Sequence, residues 1–261
     1  LKIKQIFASA SENHLKNNFK IAQNLYQDIL KINPYHVETL YNLGLVFQQF
    51  GEFNKAKDFY KKAIQIKPNY VDAHNNLGLM FKELNDLKNA KRCYEKAIQI
   101  DSNYVSAIFN LGILFRELGK FKKAINCYEK VIKITPNFAK AHNNIGNVFK
   151  KMGNDDKAIT HFERALKLNP NSIEAQVNIS NVYIAQLDNF KKAINASYKA
   201  LKMHHEKSQF INQSIPLYRL KHDMQQAEYL SSKNHVVTGI FGKIMSVEAR
   251  MITSQVRYRD P

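Results

Sequence analysis

The chain has 261 residues, 44% of them apolar, with 39 Lys and Arg against 22 Asp and Glu and a formal net charge of +17. No apolar run approaches the ~18 to 20 residues that cross a bilayer, and Ile6-Phe7-Ala8 is far too short an apolar core for a secretory leader in the opening LKIKQIFASASE. A membrane role is therefore not expected, and a cytoplasmic protein is. The charge is carried by 32 Lys and only 7 Arg. Phosphates and guanine edges are read best by the arginine fork, so specific nucleic-acid binding is not expected, only salt-sensitive adhesion to polyanions.

Taken in order, residues 1–36 hold the second half of a helix pair in Ala22, Tyr26, Ile29 and Pro34, but the first half is irregular, with Ser9-Ala10 and Asn13. From residue 37 a period of 34 sets in. Asn42, Asn76, Asn110, Asn144 and Asn178 mark it, followed by Leu43, Leu77, Leu111, Ile145 and Ile179, and then by Gly44, Gly78, Gly112, Gly146 and Ser180. Phe47, Phe81, Phe115, Phe149 and Tyr183 come three residues later. A second cluster runs Ala56, Ala90, Ala124, Ala158 with Tyr60, Tyr94, Tyr128, Phe162. Leu43 and Phe47 are four apart, as are Ala56 and Tyr60, so each pair lies on one face of a helix and the two faces close on each other. Glycine within a helix costs roughly 0.5 to 1 kcal/mol relative to alanine, so its return at one offset implies close approach of the second helix. Gly51, Asn85, Gly119 and Gly153 fall between the helices, where a left-handed cap is expected. Pro68, Pro136 and Pro170 end three copies, with Ser102 in a fourth.

These columns resemble the tetratricopeptide repeat over about residues 3 to 204. The resemblance implies an all-α, right-handed superhelical solenoid. It comprises a degenerate capping repeat (1–36), five tandem repeats (37–204) and a C-terminal helical cap or linker (205–261). Within the family the first helices line the concave surface. Carried over, that puts the five asparagines on a ladder of carboxamides whose N–H and C=O groups suit an extended peptide backbone. The ladder is most like that in the repeat array of O-linked N-acetylglucosamine transferases, which holds protein substrates. One turn away Lys82, Arg116 and Lys150 form a basic stripe interleaved with Glu83 and Glu117, favouring acidic side chains, and Asn147 and Asn181 add polar groups near the last rungs. Tyr41, Asn75, Phe109, Asn143 and Val177 vary at the adjacent offset, as selectivity positions would. The chaperone-type clamp for a C-terminal carboxylate needs lysines at that offset, and Tyr41, Asn75 and Val177 count against it.

Chance is a poor source for the ladder: with 28 asparagines in the chain, five matched slots fill on the order of once in 10⁵. Repeat duplication with a structural bond between neighbouring repeats stands beside peptide gripping as its explanation. No phosphate loop, dinucleotide fingerprint, zinc-protease or serine-elbow motif is present, so neither catalysis nor a cofactor nor a metal is expected within these residues. Cys93 and Cys127 are read as reduced thiols and His74 and His142 as packing residues. After residue 205 the period is lost, and a segment from Pro216 (LYRLKHDMQQAEYL) and another after Gly239 form the expected cap. The stretch KHDMQQAEYL weakly resembles linkers that lead into a 2-oxoglutarate/iron oxygenase or glycosyltransferase domain. Two readings follow: a non-enzymatic scaffold that takes an extended peptide or partner protein, or the substrate-recognition region of a larger enzyme. Partner identity and oligomeric state are not encoded legibly.

Overall fold

The computed structural model describes residues 2–185 and, beyond them, positions 192, 195 and 199. Residues 205–261, the expected cap, lie outside the described residues, as does most of the second helix of the last copy. The described chain is a run of helices: α1 (Lys2–Leu15), α2 (Phe19–Ile32), α3 (Val37–Gln49), α4 (Phe53–Ile66), α5 (Val71–Glu83), α6 (Leu87–Ile100), α7 (Val105–Glu117), α8 (Phe121–Ile134), α9 (Ala139–Lys151), α10 (Asp155–Leu168) and α11 (Ile173–Ala185). The chain separates into two compact units, residues 1–136 and 137–261. In the first, α1/α2, α3/α4, α5/α6 and α7/α8 are tightly packed pairs, and α2 meets α3, α4 meets α5 and α6 meets α7. In the second, α9 packs on α10 and α10 on α11.

One contact fixes the spacing of each full pair. A Cβ added to Gly44 would stand 2.4 Å from Tyr60 Cε1, and the same collision recurs against Tyr94, Tyr128 and Phe162 in the later copies. The glycine column is thus the floor on which the second-helix ring lies. Those rings, with Ala56, Ala90, Ala124 and Ala158, are wholly buried. The first pair places Ala10 at the glycine position and still buries both Ala10 and Tyr26, so the irregular first copy is a complete helix pair.

The link inside each pair follows one plan. Gly51 has φ of 71°; its N–H donates to Gln48 O and that of Glu52 to Phe47 O, the doubly bonded Schellman turn. Asn85, at φ 59°, does the same, and so does Asn17 of the first copy, at φ 60°. Between pairs, Ser102 stands where others have proline, and Asp101 accepts the Asn103 N–H at 2.9 Å, the same turn that Asn33 and Asn169 make around Pro34 and Pro170.

Outer lysines are partly used in packing: Lys55, Lys123 and Lys157, at one repeat offset, lie over Phe47, Phe115 and Phe149 at 5.3 to 5.7 Å from the ring centres. His74 packs as expected, nearly buried with Nε2 bonded to Pro68 O at 2.8 Å. His142 meets His161, Nδ1 to Nδ1 at 3.3 Å. Cys93 and Cys127 are unpaired, and burial pushes both thiols up to about 11.

Candidate functional site

The ladder asparagines sit in the second turn of α3, α5, α7, α9 and α11, each half-buried. Three of them are bound to the repeat before. Asn76 Nδ2 donates to Tyr41 Oη at 3.0 Å, Asn110 Nδ2 to Asn75 Oδ1 at 3.0 Å and Asn178 Nδ2 to Asn143 Oδ1 at 3.0 Å. The acceptor is always the residue 35 positions earlier. Asn42 and Asn144 break the pattern, and their counterparts at that distance are Phe7 and Phe109, rings with no acceptor oxygen. Asn144 donates instead to Lys140 O of its own helix at 3.0 Å.

This alters the reading of the neighbouring column. Asn75 and Asn143, expected as selectivity positions, are 5% and 4% exposed and serve as acceptors for the next rung. Asn75 also donates to Asn76 Oδ1 at 3.1 Å, and Asn143 to Glu174 Oε1 at 2.7 Å. Pairing i with i−35 was available in the sequence, because acceptor-bearing side chains occupy that position for three rungs of the five.

Within the first unit the face has two chemically distinct edges. Toward the helix starts, the ring of Tyr41 lies 4.9 Å from that of Tyr70, the cap residue of α5, and the Oη of Tyr104, the cap residue of α7, donates to Asp72 Oδ1 at 2.6 Å. Burial first and the Asp72 carboxylate second push Tyr41 up to about 12; burial followed by Tyr41, Asp72 and Glu38 does the same for Tyr70. At the last turns stand Lys82 and Arg116, with Lys82 Nζ 3.0 Å from Glu117 Oε1 of the next repeat. The interleaved charges expected of the stripe are therefore, at Lys82, an ion pair between repeats. Asn42, Asn76, Asn110, Lys82 and Arg116 belong to this unit. The second unit carries Asn144, Asn147, Lys150, Asn178 and Asn181, all half-buried. Tyr94 and Tyr128, read from the sequence as core residues only, are wholly buried, and after burial the charges of the basic edge act on them, Glu117 and Glu83 on Tyr94 and Arg116 and Glu117 on Tyr128.

Family models described as tetratricopeptide repeat match residues 37–70, 71–104 and 139–172, with another at 93–126 and a TPR-repeat model at 112–153. Together they span 37–172, over half of the chain. The chain belongs to the tetratricopeptide repeat family. Its fold is the all-α repeat superhelix of that family, and solved structures agree. The crystal structure of MamA is 30% identical, covering 62% of this chain and 94% of that one at a TM-score of 0.58. YrrB, described as a TPR protein with an unusual peptide-binding site, is 22% identical, covering 65% and 88% at 0.56. TTC0263, a thermophilic TPR protein of Thermus thermophilus, is 18% identical, covering 70% and 99% at 0.55. Among curated proteins none matches. No helix among the described residues is long and apolar enough to cross a membrane.

Proposed function

We propose that this tetratricopeptide array is a protein-interaction scaffold in the cytoplasm that takes an extended peptide along the ladder face of its first helices. The observation that carries the reading is the state of Asn110. Its Nδ2 is anchored to buried Asn75, which holds the carboxamide in one orientation, while its oxygen and second N–H keep their bonding capacity. A carboxamide fixed in this way loses little freedom on meeting a peptide amide. The structural and gripping roles of the ladder thus reinforce each other: the bond between repeats aims the group that faces the ligand. The peptide-binding site in the printed description of YrrB, a protein of the same fold, is in keeping with this use.

The test is selection of a random 12-residue phage-displayed peptide library on the full chain. A selected peptide is then titrated against wild type and Asn42→Ala/Asn110→Ala, with circular dichroism run in parallel. Binding should fall about tenfold or more in the double variant while it remains folded. N-methylation of alternate peptide amides should weaken wild-type binding similarly. Unchanged affinity in the folded variant, or no selectable peptide, rejects the reading.

A further inference from the structure

Four second-helix rings share one repeat offset: Tyr60, Tyr94, Tyr128 and Phe162, all wholly buried. Tyr60 Oη donates to Gln48 Oε1 at 3.0 Å. Gln48 is succeeded at its offset by Lys82 and Arg116, whose cationic groups only donate. In those two copies the hydroxyls of Tyr94 and Tyr128 are buried with no hydrogen-bond partner. The next copy, with Lys150 at the offset, carries Phe162 and has no hydroxyl to satisfy. Phenylalanine therefore fits this packing, and a buried unpaired hydroxyl is costly to retain. Tyr94 lacks an acceptor, and Lys82, being a donor itself, does not supply the one that Gln48 supplies to Tyr60.

A resident carboxylate already occupies the cation. Glu117 pairs with Lys82 at 3.0 Å, with the two side chains 38% and 25% exposed. Tyr94 feels Glu117 and Glu83 among the groups that, after burial, hold its hydroxyl protonated. At Tyr128, burial dominates, the Arg116 cation acts in the opposite direction, and Glu117 of its own repeat occupies the place that Glu83 has beside Tyr94. A half-exposed ion pair of this kind is worth little, so exchanging Glu117 for another carboxylate on Lys82 costs little. A bond from a buried hydroxyl to the incoming oxygen is then a net gain.

We propose that Lys82 and Tyr94 form a carboxylate-accepting site, in which an Asp or Glu side chain of a bound peptide replaces Glu117 on Lys82 and accepts the Tyr94 O–H. This rests on the peptide-binding reading above and adds a side-chain preference to it. Gln48 fills the acceptor role internally in the preceding repeat, so the site begins at Lys82.

The random 12-residue library is selected on the full chain as wild type, Tyr94→Phe and Lys82→Gln. Wild type should enrich Asp and Glu. Tyr94→Phe, which reproduces the Phe162 arrangement, should lose that enrichment and bind a selected acidic peptide about tenfold more weakly, while binding its Asn/Gln counterpart as wild type does. Lys82→Gln should behave likewise, since glutamine restores the internal acceptor seen at Gln48. Glu117→Gln should tighten the acidic peptide, and Glu95→Gln, an acid paired to Lys91 on α6, should not. Peptides enriched without acidic preference, or acidic peptides bound equally by wild type and Tyr94→Phe, overturn this site and leave the groove intact. Failure to enrich any peptide overturns the groove and the site together.

Discussion

Three of the five ladder amides, those of Asn76, Asn110 and Asn178, are held by a residue in the preceding repeat, so identical asparagines have unequal energetic roles. Removing Asn110 leaves the Oδ1 of nearly buried Asn75 without its donor, whereas Asn42 makes no such bond among the described residues. Asn110→Ala should therefore cost about 1–3 kcal/mol in urea unfolding, and Asn42→Ala within about 0.5 kcal/mol. Asn75→Ala combined with Asn110→Ala should cost less than the sum of the two, because the orphaned acceptor disappears with its donor. Equal effects of Asn110→Ala and Asn42→Ala would show that the bond to Asn75 contributes nothing. The glycine column makes a stricter demand. Alanine at Gly44 meets the Tyr60 ring at 2.4 Å, and that ring is wedged in the core with its hydroxyl tied to Gln48. Gly44→Ala should cost about 1–3 kcal/mol of unfolding free energy, read from the urea midpoint at constant slope.

The helix pair was legible to the residue in the turns and much less so in its side-chain bonds. Among the described residues, period, aromatic spacing and the Gly/Asn column located every helix break from Gly51 onward, because φ near +60° to +70° and a ring lying on a bare Cα each admit few residue types. The first copy obscured its own turn, since Asn17 lies among polar residues with no aromatic column beside it, yet its N–H groups close the same motif. The candidate site was read only in outline. Its residues were identifiable by offset, but whether Asn76 faces Tyr41 and Lys82 faces Glu117 depends on how one pair rests on the next, which a repeat period does not specify. The orphaned hydroxyls needed both columns at once, Gln-Lys-Arg-Lys against Tyr-Tyr-Tyr-Phe. At the turn itself, Asn85→Gly should preserve or raise the melting temperature and Asn85→Ala should lower it by about 1 kcal/mol equivalent, since alanine gains nothing to offset the left-handed backbone. Equal melting of the two variants would deny the cap its conformational role.

Across the whole molecule, titration sets the window in which the array holds together. His14, His74, His142 and His161 all have their pKa values depressed, chiefly by burial. The Lys96 and Arg164 cations add to this at His74 and His142, and the pairing with His142 adds to it at His161. A depressed folded value means that the unfolded chain binds these protons more readily, so their share of stability is complete above the ordinary histidine value near 6.5 and is lost as pH falls below it. The tyrosines carry the opposite sign. Tyr41 and Tyr70 are pushed up to about 12, and Tyr60, Tyr94 and Tyr128 are raised further by burial, so their share of stability is complete below pH 10 and drains above it. The thiols of Cys93 and Cys127, raised to about 11, have the same sign and start to drain stability from their ordinary value near 9, so the urea midpoint should be flat between about pH 7 and 8 and fall on both sides. Two other repeats supply the controls for the acid limb: Leu40 stands at the offset of His74, and Ile108 at that of His142. His74→Leu and His142→Ile should each flatten the limb by the slope of up to one proton, about 1.4 kcal/mol per pH unit, while leaving the alkaline limb as it is. An acid limb equally steep in the double variant would locate the proton uptake in the carboxylates, of which Glu12 and Asp86 also have depressed values, and would leave the buried histidines as packing residues without a titrating role.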